Sequence, residues 1–370
     1  MRSQLLASFP SLVVLALLAG CAQPAPGPLQ PAPSPSASSV EAPTAPVDVV
    51  GTPTTVVSGL AAPWSMLRLD SGSTLISERD TRLVKELTAD GQLRDVGTVE
   101  GASPGGEGGL LGLATLDQTG LYVYLTTATD NRIVRFDLEG TAGSYSLGAS
   151  REILTGIQKA GNHNGGRIAF GPDGMLYATV GDAGTPASAQ DLDSLNGKIL
   201  RMEPDGSVPD DNPFAGSLVY SLGHRNPQGI AWDDSGQLWA TEFGQNTWDE
   251  FNIIRAGANY GWPAVEGAFP DDRFESPIYQ WATDEASPSG LTYVRGTFFM
   301  AALGGERLWA IHPGDPTTAI ESFADTLGRI RDVTPGPDGS LWMLTNNTDG
   351  RGQPRESDDR IVQVELAPSP

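Results

Sequence analysis

His163 sits in the stretch Gly161-Asn162-His163-Asn164-Gly165-Gly166-Arg167 and is one of only three histidines in 370 residues. The chain then runs through Gly171-Pro172-Asp173-Gly174 to a second glycine turn, Val180-Gly181-Asp182-Ala183-Gly184. Glycine lets backbone approach a ligand where a side chain would block it. Imidazole takes up a proton near neutral pH, so a scarce histidine among loop glycines is a candidate general base. The competing reading is a histidine packed beneath a turn.

Four further segments carry side chains suited to chemistry. Glu107 lies in Gly105-Gly106-Glu107-Gly108-Gly109, a setting that argues against a packing role and leaves a mobile surface loop as the alternative. Arg225 and Asn226 follow His224 in Leu222-Gly223-His224-Arg225-Asn226-Pro227-Gln228-Gly229. The guanidinium offers a planar fork of donors suited to carboxylate or quinone oxygens, and Asn226 adds a donor and an acceptor. His224 reads as structural. From Thr241-Glu242-Phe243-Gly244-Gln245 through Asp249-Glu250 to Asn259-Tyr260-Gly261-Trp262-Pro263, carboxylates, amides and turns collect as a hard cation such as Ca2+ requires, though without EF-hand spacing. Finally, Arg329 and Arg331 in Gly328-Arg329-Ile330-Arg331-Asp332 fall on one face of a strand. Two guanidinium groups side by side in a chain with few cations read as an anion clamp. The alternative is ion pairing with Asp332 or Glu321.

These segments need a scaffold that brings distant loops together. Long amphipathic helical patterns are nearly absent, and short Val-, Ile-, Leu-, Tyr- and Trp-rich runs alternate with Gly, Pro, Asp and Ser. A turn-and-strand unit recurs at Asp70-Ser71-Gly72, Gly171-Pro172-Asp173-Gly174, Asp233-Asp234-Ser235-Gly236 and Gly336-Pro337-Asp338-Gly339, with a looser copy at Asp117-Gln118-Thr119-Gly120. A hairpin recurring at roughly 50-residue spacing predicts an all-β, six-bladed β-propeller of four-stranded antiparallel blades, with loops of every blade around one funnel.

Asp and Glu number 45 against 23 Lys and Arg, a net charge of -22. That excludes a basic nucleic-acid-binding surface and electrostatic adhesion to anionic lipid. Arg2 precedes a wholly apolar run from Leu12 to Leu18, too short to span a bilayer, and Leu18-Ala19-Gly20-Cys21 resembles the bacterial lipobox. Residues 1–20 therefore read as a lipoprotein signal peptide. Residues 21–50 read as a Pro/Ala/Ser-rich tether beginning at a lipidated Cys21, and 51–370 as the folded domain. The expected location is outside the cell, held to the outer face of the membrane only by that lipid. Cys21 is the sole cysteine, so no internal disulfide forms.

Taken together, the His163, Arg225, Tyr260 and Arg329 segments resemble the PQQ-dependent soluble glucose and aldose sugar dehydrogenases over most of residues 55–365. These are six-bladed quinoproteins using pyrroloquinoline quinone (PQQ) and Ca2+. The resemblance implies oxidation of aldose sugars at C1 to lactones, with hydride passing to PQQ and electrons on to an external acceptor. It implies His163 as base, Asp182 as its orienter, and Arg225 as the stabiliser of charge on the quinone. Glu107, Asn226, Arg329 and Arg331 become cofactor contacts. The carbonyls of Gly244 and Gln245 become ligands of the Ca2+ that touches PQQ, and Glu250 with the Tyr260 carbonyl ligands of a second. One departure is evident: Gly304 stands where the family carries a Lys or Arg. A non-enzymatic binding propeller and a metal-dependent lactonase are the alternatives, but the lactonase explains neither the arginine pair nor His163 with Asp182.

Overall fold

The described part of the computed structural model comprises residues 45–314 and 316–370. The segments read as signal peptide, Cys21 and nearly all of the tether lie outside it. Six separate sheets form, each of four antiparallel strands, with innermost strands Pro63–Arg68, Leu110–Ala114, Ile168–Phe170, Pro227–Trp232, Pro288–Val294 and Ile330–Pro335. Neighbouring innermost strands pack on one another around a common axis. The expected six-bladed propeller is the fold.

The recurrent turns do the job their chemistry suggests. Asp70–Gly72, Asp117–Gly120, Gly171–Gly174, Asp233–Gly236 and Gly336–Gly339 each join an innermost strand to the second strand of its blade. The remaining blade uses a different device. Val294 pairs with Thr297 across Arg295 and Gly296, whose φ angles are 45° and 81°. Two consecutive left-handed residues make the tight hairpin that matches strand twist, and without Asp before Gly the sixth copy escaped the sequence repeat.

The folded body starts before Gly51. Strand Val47–Ser58 pairs with Arg360–Pro368 and supplies the outer strand of the blade whose other three strands come from the C-terminal end of the chain. Val47 is buried, and its N–H donates to Thr297 Oγ1 at 2.9 Å. The stretch Val47-Asp48-Val49-Val50 belongs to this strand rather than to the tether.

Apolar side chains gather into six clusters, one at each blade-to-blade interface. Blades are thus glued face to face, while the polar ends of their strands are free to build a site. Those ends matter here: the loops leaving the second strands of successive blades carry Arg79, Asp182, Phe243, Leu303 and Asp349.

Candidate functional site

His163 has φ of +55°, in the left-handed region, and its backbone is held at both ends. Its N–H donates to Glu107 Oε2 at 2.8 Å, and its carbonyl accepts from Ala183 N at 3.1 Å. Gly181 is required at this point, because a Cβ there would run into the His163 carbonyl oxygen. The ring Nδ1 lies 2.7 Å from Oδ1 of the fully buried Asp182. Burial pushes the Asp182 carboxyl up, but bonds from His163, Trp262 Nε1 and Gly184 N outweigh it and hold the group below the usual carboxylate range. An ionised Asp182 accepts only, so Nδ1 carries the hydrogen, which in the neutral ring puts the lone pair on Nε2. That is the tautomer a base needs.

Trp262 bridges this pair to Arg225. Its indole N–H donates to Asp182 Oδ2 at 2.9 Å, and the Arg225 guanidinium lies 5.6 Å from its ring centroid. Arg225 is fixed from behind: its N–H donates to Glu242 Oε2 at 2.8 Å and its Nη1 to the Phe243 carbonyl at 3.3 Å. His224 is completely buried between Ser221 Oγ and Glu242 Oε1 and stacks on Tyr260, so its structural reading stands. Asn226 is also buried, and its Oδ1 accepts from Gly165 N at 3.1 Å, tying the Arg225 segment to the His163 loop.

Beside Phe243 opens a cavity lined by Trp64, Glu107, Gln228, Arg329, Arg331 and Arg351. Arg329 pairs with Asp349 at 3.2 Å, and Arg331 lies 3.9 Å from the same carboxylate oxygen. The sequence alternatives for this pair are not realised: Asp332 pairs with Arg167, and Glu321 with Arg307. One carboxylate thus serves two buried guanidiniums. Burial, and then the charge of Arg329, push Arg331 down to about 9 against the pull of Asp349. The Nε atoms of Arg225, Arg329 and Arg331 are buried without a hydrogen-bond partner. Buried donors are normally satisfied; Arg329 and Arg331 line this one cavity, so their guanidiniums suit an anion there, whereas Arg225 lines the neighbouring cavity.

Gly244, Glu250 and Tyr260 border a second, smaller cavity with Arg225, Glu242 and Glu266, and Phe243 lines both cavities. Gln245 is exposed, and its N–H donates to Glu266 Oε1. Gly244 lines this cavity together with Glu250 and Tyr260. Burial and the nearby Glu242 charge push Glu250 up. Asn252 Oδ1 is a buried acceptor with no partner. Among the described residues, no three His, Cys, Asp or Glu side chains converge as metal ligands, so a cation here would rely on main-chain and amide oxygens beside Glu250.

The glucose/sorbosone dehydrogenase family model matches residues 60–353. The chain belongs to that family. Within the glucose/sorbosone dehydrogenase family, it is 46% identical to the aldose sugar dehydrogenase of Streptomyces coelicolor, solved in a PQQ-bound form, over 88% of this chain and 99% of that one, with a TM-score of 0.83. It is 35% identical to the aldose sugar dehydrogenase YliI of Escherichia coli over 51% of this chain and 59% of the relative. It is 38% identical to quinoprotein glucose dehydrogenase B of Acinetobacter calcoaceticus over 36% of this chain and 33% of that relative. Residues that sequence reasoning passed over are Trp262 as the second donor to Asp182, Asp349 as the shared carboxylate of the arginine pair, and Arg351.

Proposed function

We propose that the protein is an exported, lipid-anchored, PQQ-dependent sugar dehydrogenase that oxidises aldoses at C1 to lactones and passes the electrons to an external acceptor. The observation that carries this reading is the arginine pair Arg329 and Arg331, which lines a cavity, shares one carboxylate and has Nε donors without a partner. Such a wall fits an anion with several carboxylates. When bound, PQQ supplies the two-electron hydride acceptor.

In this reading the chain's own groups divide the work. His163 Nε2 takes the proton of the sugar C1 hydroxyl. Asp182 keeps Nδ1 protonated and stabilises the imidazolium that results, as the orienting acid of a base pair does. Arg225 presents positive charge where negative charge grows. Arg329 and Arg331 hold carboxylates. Glu107 and Asn226 act through the His163 loop, which they hydrogen-bond through its backbone. Ca2+ beside the quinone would be held by the Gly244 and Gln245 carbonyls and would supply Lewis-acid polarisation of the quinone oxygens, and a second Ca2+ would be held by Glu250 with the Tyr260 carbonyl.

The test is reconstitution of the purified protein with PQQ and Ca2+, followed by dye reduction with a panel of aldoses. Turnover of at least one aldose is expected. Bound PQQ with no turnover of any sugar would reject the reading.

A further inference from the structure

Arg351 reaches the same cavity as Arg329 and Arg331, yet it sits there differently. The side chains of Arg329 and Arg331 are 10% and 6% exposed, whereas that of Arg351 is 55% exposed. It therefore stands at the mouth, while the other two form the wall. Its Nη1 pairs with Glu107 Oε1 at 3.0 Å, and the other oxygen of Glu107 accepts from His163 N. Half-exposed ion pairs hold weakly and exchange partners easily.

The loop after Thr297–Ala302 brings no cation to the cavity. Leu303 lines it, and a Cβ on Gly304 would run into Ser287 Oγ. Arg307 does not substitute, because it points to Glu321 and to the Trp309 ring. Around the cavity, three arginines face Glu107 and Asp349, which leaves one positive charge in excess, and the freely accessible guanidinium is Arg351.

We propose that Arg351 is the third anion-binding group of the cavity: on ligand entry its guanidinium turns from Glu107 onto the carboxylate nearest the mouth and closes over it. Glu107 keeps its bond to His163 N throughout, so the base loop is undisturbed while the arginine moves. The inference rests on the reading of the cavity as a PQQ site and names the residue that retains the ligand there. A cation at the mouth acts mainly on escape, since affinity differences between close variants lie mostly in dissociation.

The experiment titrates metal-loaded, PQQ-free protein with PQQ, following the absorbance change, for wild type, Arg351→Gln and Arg351→Lys at low and high salt. Arg351→Gln is expected to weaken binding by about 10- to 100-fold, the usual range for losing one charge-assisted contact. The loss should appear as faster PQQ release and a flatter salt dependence. Arg351→Lys should recover most of the affinity, and thermal unfolding of the ligand-free variants should match wild type. Wild-type affinity and salt dependence in Arg351→Gln would overturn the proposal for Arg351 alone. A wild-type protein that fails to bind PQQ at micromolar concentration would overturn the cofactor reading, and this inference with it.

Discussion

Trp262 donates its indole N–H to Oδ2 of Asp182 at 2.9 Å, which leaves Oδ1 to His163 at 2.7 Å. The carboxylate is thereby fixed in plane by a residue eighty positions away in sequence, on a different blade. Trp262→Phe keeps the ring under Arg225 but deletes this donor. Loss of a buried hydrogen bond to a charged acceptor costs about 1–3 kcal/mol of stability. Steady-state kinetics should show kcat falling by roughly tenfold, as expected for losing about 1.4 kcal/mol of positioning, with KM nearly constant. An unchanged kcat would remove Trp262 from the orienting chain.

Asp182→Asn preserves shape but can present its amide N–H to His163 Nδ1, which inverts the tautomer and takes the lone pair away from Nε2. A fall in kcat of about 10⁴ is expected, by the precedent of a histidine held in the wrong tautomer. His163→Ala should lower turnover by about 10²–10⁴. Both variants should bind PQQ as wild type does, since the arginine wall is built from other blades. Parallel PQQ titrations check this.

Arg331 illustrates a site that weakens its own fold. Its folded pKa is pushed down to about 9 by burial and by Arg329, and a base so lowered destabilises the native state while it is charged. The cost is full below the folded value and is relieved as pH rises through it, so it is present at neutral pH. Arg331→Met should raise the unfolding free energy of the ligand-free protein by on the order of 1 kcal/mol. The same change should abolish the rise in unfolding temperature that PQQ gives wild type. Calorimetry with and without PQQ reads both effects.

Much of this was legible in the sequence, for local reasons. Five of the six blade hairpins carry Asp-Gly-type turns, and His163 and Asp182 sit in glycine turns close together in the chain. Part of what escaped was built by closure of the ring. Trp262 and Arg351 meet the site only because the blades are wrapped around one axis, and no local spacing records that, whereas Asp349 meets Arg329 within one blade, across a pair of neighbouring strands. Arg351, in Asn346-Asn347-Thr348-Asp349-Gly350-Arg351-Gly352, reads as an ordinary polar loop. One signal was available: this loop leaves the second strand of its blade, as Asp182 and Phe243 do of theirs. The start of the fold was misplaced because Val47–Ser58 finds its partner three hundred residues away rather than in a neighbouring hairpin.

The acid limb of stability has a traceable contributor away from the site. Glu86 is fully buried and accepts from Ser73 Oγ and Gly143 N while pairing with Arg94. Burial raises its pKa, but those partners outweigh it and hold the group below the usual value. Stability from a depressed carboxyl is present above its ordinary value and is lost as pH falls through the folded one. Glu86→Gln should therefore be less stable than wild type at pH 7 and lose less as the pH is lowered. Urea unfolding at several pH values between neutral and acid measures the two slopes, and parallel slopes would remove Glu86 as a contributor.

The closing strand has a consequence for attachment. Ser58 pairs with Arg360 at the end of the blade where Ile330 and Thr345 meet, beside the arginine wall, whereas Val47 pairs with Pro368 beyond the opposite end. Both ends of the folded body thus emerge on the floor of the propeller. A support that grips the protein by either end, an electrode as readily as a lipid layer, meets that floor and leaves the mouth open to whatever diffuses past.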